Sequence, residues 1–298
     1  MSYKLEKKEP LSDNIKRIVS EELDAAIDSL NNQNIHEAVH EIRKRLKEIR
    51  ALARLFRDEM GEDNFKTINA FFRDLGQELS PIRDLTAHME TIEALNLRYG
   101  DHVYVNFFKS LTHSLETERN QLEKKLMQEK FFSENIMQKL EYGRKELASW
   151  PVNTNDISVI LPGIERVYKR GKCALTAAYR DPRKETFHEW RKRVKYLWYQ
   201  ILLLQDLWPG LFTTLEVEVH ELADFLGDDH DLMVLNDKLL SPEFGVKDDK
   251  QKEMLHALIS EYSEHLRKSA KLKGELIYAE KPKNFTKRIG KYAEVSWN

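Results

Sequence analysis

His40-Glu-Ile-Arg43-Lys44-Arg45-Leu-Lys47 returns 148 positions later as His188-Glu-Trp-Arg191-Lys192-Arg193-Val-Lys195. Both stretches read as helices with two chemically distinct sides. Advancing about 100° per residue from His40 puts Arg43, Lys44, Lys47 and Arg54 within about 60° of it, with Arg50 and Arg57 at the margin. Ile42, Leu46, Ile49, Ala53 and Phe56 fall opposite and form a core-facing stripe. Arg45 points off the basic side, where Glu41 and Glu48 can neutralise it at helical spacing. In the second copy His188, Arg191, Lys192 and Lys195 share one side, with Trp190, Val194, Leu197, Ile201 and Leu204 on the other. Arg193 is again off the basic side, with Glu189 four residues before it. A solvated helix face mixes signs along its centre, whereas both copies keep acids away from theirs. The pattern predicts a site for a multiply charged anion, bound through charge-assisted hydrogen bonds from arginine, lysine and histidine.

Outward from these two helices the whole chain has a helical period. Eleven glycines and eight prolines in 298 residues leave long stretches in which apolar residues recur three and four apart. The spacing predicts helices over 11–30, 35–59, 63–79, 82–98, 102–129 and 133–149. It predicts a second set over 157–179, 183–207, 211–226, 230–239 and 248–280. Trp150-Pro-Val-Asn-Thr-Asn-Asp156 clusters proline with cap-forming side chains and marks a boundary. A second marker repeats across it: Leu75, Leu79 and Arg83-Asp84-Leu85 match Leu222, Leu226 and His230-Asp231-Leu232. The expected architecture is all-α: two pseudo-symmetric helical-bundle repeats, residues 1–149 and 150–298, packed as one domain around a central basic channel.

The bulk charge contributes nothing to anion binding. Forty-eight Lys and Arg against fifty Asp and Glu give a net charge of −2, so attraction for a polyanion has to come from local arrangement. The single cysteine, Cys173, excludes an intramolecular disulfide and a thiolate zinc cage. The first residues carry no apolar stretch of signal-peptide length, and no run approaches the roughly 18 apolar residues of a spanning helix. A cytoplasmic protein without membrane partners is expected.

His-x-x-Arg-Lys-x-x-Lys in each half, followed some 40 residues on by Leu-x-x-x-(Arg/His)-Asp-Leu, resembles the CHAD family, the conserved histidine α-helical domains. The resemblance runs from about Leu11 to Tyr292. It takes in Tyr168-Lys-Arg-Gly171 and the closing Lys281-Pro-Lys-x-Phe-x-x-Arg-Ile289. The family implies two helical halves around a basic channel that binds inorganic polyphosphate, and association with polyphosphate granules. Carried over by motif position, it implies polyphosphate contacts from His40, Arg43, Lys44, Lys47, His188, Arg191, Lys192 and Lys195. Arg50, Arg54, Arg83 and His230 follow in rank, then Lys169 and Arg170, and last the tail cations Lys281, Lys283, Lys287 and Arg288. The run Gly227-Asp-Asp-His-Asp231 is more acidic than a phosphate site favours, and Asp84 and Asp231 suit orienting a cation better than touching an anion.

Sharper chemistries have weaker support. His36-Glu37-Ala-Val-His40 is a literal zinc-protease string with Glu59 as a distant third ligand, but the second copy reads Lys184-Glu185-Thr-Phe-His188 and keeps only the later histidine. Five cations within ten residues of His40, from Arg43 to Arg50, also oppose a divalent metal. Glu216-Val-Glu-Val-His220 departs from the Glu-x-Glu-x-Lys strand of triphosphate-cleaving domains, and no carboxylate pair is placed to hold catalytic magnesium. No catalysis, metal or cofactor is therefore expected, and a phosphohydrolase or zinc protease is a remote alternative. Nucleic acid is the nearer competitor as a weaker ligand. Only Tyr199 interrupts the basic faces, which leaves base stacking little support.

Overall fold

The computed structural model describes residues 3–103, 107–128, 132–147, 150–152, 154–241, 246 and 248–297. Its helices are α1 (Leu11–Asn32), α2 (Ile35–Leu55), α3 (Arg57–Met60), α4 (Glu62–Glu78), α5 (Ser80–Tyr99), α6 (Phe107–Gln128) and α7 (Phe132–Glu146). After the connection come α8 (Leu161–Arg180), α9 (Lys184–Leu203), α10 (Pro209–Leu239), α11 (Asp249–Ile277) and α12 (Pro282–Ser296). Among the described residues there is no strand, and the fold is all-α as the periodicity predicts.

The two basic helices are built as their patterns require. Asn34 caps α2 by accepting from the backbone N–H groups of His36 and Glu37, both at 3.1 Å, and so satisfies two of the donors that a helix start leaves open. Ile42, Leu46, Ile49, Ala53 and Phe56 are all buried, as are Trp190, Val194, Leu197, Ile201 and Leu204 on the α9 side. Two apolar cores result, and both draw on each half of the chain. One joins α1, α2, α4 and α7 to α8, α9, the first part of α10 and α12 through Leu23, Leu46, Leu140, Tyr168 and Trp190. The other joins α5 and α6 to the second part of α10 and α11 through Ile92, Leu115, Leu232 and Ile259. Helix pairing runs in parallel order: α1 packs on α2 as α8 packs on α9, and α2 on α4 as α9 on α10. Across the halves α2 packs on α9 and α5 on α10.

Several boundaries differ from the sequence expectation. Residues 211–226 and 230–239 lie in one continuous helix, α10, with no break at Gly227. The equivalent joint in the first half carries Pro81, which starts α5 in its first turn; the matching position 228 is an aspartate, so nothing interrupts the hydrogen-bond ladder. A mid-helix glycine costs about 1 kcal/mol. Buried Asp229 offsets it by accepting from Ser263 Oγ at 2.5 Å and Arg267 Nε at 2.8 Å on α11. The expected helix over 248–280 ends at Ile277, and α12 follows it from Pro282, anchored by Phe285 stacked on Tyr168 at 4.0 Å. The expected helix over 35–59 ends at Leu55, and Gly61, at φ 76°, separates α3 from α4. The fifth expected helix, over 102–129, does not begin at 102: a 3-10 turn spans Gly100–His102, and residues 104–106 lie outside those described.

Behind the basic face of α2, Arg45 pairs with Glu22 at 3.0 Å, Glu41 at 3.4 Å and Glu48 at 3.7 Å. Glu22 and Glu48 are both buried. Burial and the adjoining Glu22 carboxyl push the Glu48 pKa up, so the folded protein holds a proton there that an unfolded glutamate releases. A raised acid pKa favours folding below the unfolded value and loses that advantage as pH rises towards the folded one. Glu48→Gln is therefore expected to stabilise the fold at neutral pH by about 1–2 kcal/mol and to lose that gain at about pH 4. Denaturant titrations at the two pH values check this, and a destabilised variant at neutral pH would contradict the shared proton.

Candidate anion-binding site

The basic stripes of α2 and α9 meet, but along one edge of each. Lys47 lies at the centre. Burial first, then Arg191, Arg43, Lys195 and Arg83, push its ammonium pKa down to about 7. Those four cations come from α2, α5 and α9, so both halves of the chain contribute. Lys195 is pushed down to about 8 by burial and Arg191, with Asp224, Asp231 and Asp228 pulling the other way. Its Nζ is 3.9 Å from Asp224 and 4.7 Å from the centre of the Trp198 ring. Arg43 is held at the α4–α5 joint: Nη1 donates to the Gly76 carbonyl and to Ser80 Oγ at 2.8 Å. Arg83 donates from Nη2 to Glu90 at 2.8 Å. The Arg191 guanidinium lies against α10, with Nε 3.8 Å from where a side chain at Gly227 would begin.

Three donors in this cluster are buried without a hydrogen-bond partner: Nε of Arg43, Nε of Arg191 and Nη1 of Arg83. Buried N–H groups are nearly always paired, because an unpaired one costs about 1–3 kcal/mol and more when charged. Among the described residues no carboxylate forms an ion pair with Arg43, Lys47 or Arg191; Arg83 is paired with Glu90 at 2.8 Å, and Lys195 makes a long contact with Asp224 at 3.9 Å. Three of the carboxylates that border the cluster are held towards their neutral forms. Burial raises Asp84 and Asp231, and burial with Asp224 and Asp231 raises Asp228 to about 6.

The histidines sit at the edge. His188 and His230 approach Nδ1 to Nδ1 at 3.2 Å, with ring centres 4.5 Å apart. Burial and Arg191 push His230 down to about 3, and burial with Lys192 and Arg191 lowers His188. His40 is exposed; burial of its ring and Arg83 lower it. It lines a cavity of about 360 Å³ together with Gln33, His36, Glu37, Arg83 and Glu90.

Other sequence-predicted residues lie apart from the central cluster. Lys192 folds back onto Glu189, which also holds Arg193. Lys44 acts on Glu48, one turn further along α2, and is not among the cations that act on Lys47 or Lys195. Arg50 and Arg54 both donate to Asn69 Oδ1, at 3.1 and 2.7 Å, and the Arg54 guanidinium covers Tyr196 at 4.0 Å. Burial, then Arg50, Arg193 and Arg170, bring Arg54 down to about 10, so these cations form a second basic region further along α2. Lys169 and Arg170 are exposed, as are Lys281, Lys283 and Lys287, while Arg288 is held by Glu280 at 2.5 Å. Sequence reading gave Asp231 to a cation and noted the acidic run around it, but missed that Asp224 and Asp228 face Lys195 together with it. Asp224, Asp228 and Asp231 fall four and three apart on α10, and an angular projection of that helix, like the one that placed the cations, would have put them on one side.

A zinc site does not fit the residues of the His-Glu-x-x-His string. Both ring nitrogens of His36 are engaged, Nδ1 with Thr86 Oγ1 at 3.1 Å and Nε2 with Glu123 at 2.5 Å. Among the described residues no three His, Cys, Asp or Glu side chains gather to hold a metal. Nor is any helix of the described residues long and apolar enough to cross a membrane.

The all-α fold brings cations from both halves of the chain into one cluster, a candidate site for an anion. The chain belongs to the CHAD domain family, whose model matches residues 17–240. That match takes in both basic helices and ends before α11 and α12, short of the residue at which the sequence resemblance was drawn. The fold is similar to that of PptA from Streptomyces chartreusis, with a TM-score of 0.58 at 14% identity over 91% of this chain and 100% of that one. No curated protein matches the chain.

Proposed function

We propose that this protein binds inorganic polyphosphate, without cleaving it, in a channel between α2 and α9 that α5 and α10 complete. Residues 1–149 and 150–298 are two pseudo-symmetric repeats of one domain, and the parallel order of helix pairing in the halves supports this. The carrying observation is the set of buried, unpaired guanidinium N–H groups on three helices around the Lys47 amine. Membership of the CHAD family points to the same ligand. The protein is cytoplasmic and gathers where polyphosphate accumulates, at granules.

A linear chain with a charge on each phosphorus and no bases suits this groove better than a nucleic acid does. The aromatic rings beside the cations are already covered. Tyr196 lies under Arg54, Tyr199 is buried, and Trp198 is stacked on His220 at 4.1 Å. None is left for base stacking, which is worth about 1–3 kcal/mol per base in single-strand binders. Titration calorimetry with polyphosphate, orthophosphate, ATP and an oligonucleotide of equal charge tests the proposal. Polyphosphate is expected to bind most tightly and to lose about 20-fold in affinity between about 50 and 200 mM salt, as release of counterions from some three phosphates requires. Its chain length should be unchanged after incubation. A flat salt response or a preference for the oligonucleotide would overturn the reading.

A further inference from the structure

His36, in the first turn of α2, bridges to two other helices. Its Nε2 lies 2.5 Å from Glu123 Oε1 on α6, and its Nδ1 lies 3.1 Å from Thr86 Oγ1 on α5. A carboxylate only accepts, so the ring carries a proton at Nε2, and in the neutral imidazole the lone pair at Nδ1 faces the hydroxyl. The Ile82 carbonyl, 3.3 Å from Thr86 Oγ1, is the longer alternative for the hydroxyl proton. Hydroxyl, imidazole and carboxylate in that order, each within hydrogen-bond reach of the next, are the parts that activate an oxygen nucleophile.

The hydroxyl also has space beside it. Thr86 stands on the walls of two cavities. One, of about 570 Å³, lies between α5 and α6 and offers apolar surface from Met89 and Phe108. The other, of about 360 Å³, also holds His36 and Arg83. Positive charge flanks the trio on both sides: Arg83 lies one turn before Thr86 on α5, and Arg119 one turn before Glu123 on α6. Arg119 lines the larger cavity with Thr86 and has no hydrogen bond or ion pair among the described residues.

We propose that Thr86, His36 and Glu123 form an acyl-transfer site that hydrolyses small carboxylic esters. Thr86 Oγ1 attacks the carbonyl carbon and its proton passes to His36 Nδ1, while the Arg119 guanidinium supplies positive charge for the oxyanion. The bond from the carbonyl carbon to the alcohol oxygen breaks, and the alcohol leaves with the proton that His36 had taken. Water then attacks the acyl-threonine and gives a proton to His36. The acid departs, and that proton returns to Thr86 Oγ1. Nothing is oxidised or reduced. Met89 and Phe108 receive the apolar acyl chain. Glu123 touches no reacting atom; it is a positioning residue that keeps the Nε2 proton in place. The trio shares only Arg83 with the surroundings of Lys47, and the inference does not rest on polyphosphate binding.

The test is incubation of the full chain with p-nitrophenyl acetate and p-nitrophenyl butyrate, followed by nitrophenolate release and by peptide mass spectrometry of the quenched protein. Acyl-Thr86 is expected, with turnover continuing beyond one equivalent. Thr86→Val should remove the acyl group from that peptide and slow hydrolysis about tenfold or more, whereas Thr86→Ser should keep both. His36→Gln should slow hydrolysis about 100-fold, as loss of a general base does. Added imidazole should partly restore His36→Ala, and Glu123→Gln should lower kcat with KM unchanged, neither of which a structural bridge alone explains. Thermal melts on each variant establish that it is folded. An unmodified Thr86 in the unaltered chain, equal hydrolysis by that chain and folded Thr86→Val, or no response of folded His36→Ala to imidazole would overturn the proposal.

Discussion

Replacing Arg191 with alanine is expected to weaken polyphosphate binding by roughly 30-fold while leaving thermal stability unchanged or slightly raised. Arg191 is the cation most widely felt in the groove, acting on Arg43, Lys47, Lys195, His188 and His230. It forms no hydrogen bond or ion pair among the described residues, and its Nε is buried without a partner. Removing it from the empty protein breaks no hydrogen bond or ion pair, and the repulsion relieved at Lys47 and Lys195 offsets the attraction lost to Asp231 and Asp228. With phosphate present, the same change removes a forked, charge-assisted donor that is worth about 1.5–3 kcal/mol. Arg43→Ala should behave differently, because it also loses the bonds to Gly76 and Ser80 that hold the α4–α5 joint. Lys44→Ala should change affinity less than twofold, since its charge acts on Glu48 and is not among those acting on Lys47 or Lys195. Calorimetry and thermal melts on the three variants separate these cases, and a loss under threefold for Arg191→Ala would take it out of the site.

The contrast between Lys44 and Arg191 also marks how far the sequence could be read. Helical period is local geometry, so a single angular projection separated buried Ile42 and Trp190 from the cations, and set Arg45 apart with the acids it pairs with. The same projection put Lys44 and Lys192 on the basic side. Which edge of each stripe enters the shared space depends on how α2 crosses α9, and that is decided by packing between residues some 150 apart in sequence. One edge, Arg43 with Lys47 and Arg191 with Lys195, is brought together, while Lys192 turns back to Glu189. The continuous α10 was hidden for a different reason. Gly227 and its acidic neighbours look like a break, and only the bonds from Asp229 to Ser263 and Arg267 on α11 show why the helix runs through. α12 likewise depends on a partner far away in sequence, Tyr168.

Polyphosphate affinity is expected to fall by roughly 30-fold or more between about pH 6.5 and about pH 8.5. In the free protein Lys47 releases its proton near 7 and Lys195 near 8, so both are largely neutral at the upper end of this range. A bound phosphate chain places negative charge among them and restores the ammonium forms. Binding above their free pKa values must therefore take up protons from solution, and the cost of that uptake grows with pH. His230, pushed down to about 3, stays neutral across the window and does not set the slope; burial with Lys192 and Arg191 lowers His188 as well. Asp228 titrates near 6 and acts in the same direction, since its ionisation at higher pH opposes an incoming anion. The interior phosphates of the chain are already ionised and add nothing. Calorimetry at about pH 8 in two buffers of different ionisation enthalpy should count about one proton taken up per site. Lys47→Arg, which keeps the charge at all these pH values, should flatten most of the dependence. A flat profile in the unaltered protein would mean that Lys47 is charged before the anion arrives, and that the four surrounding cations do not act on it as their positions require.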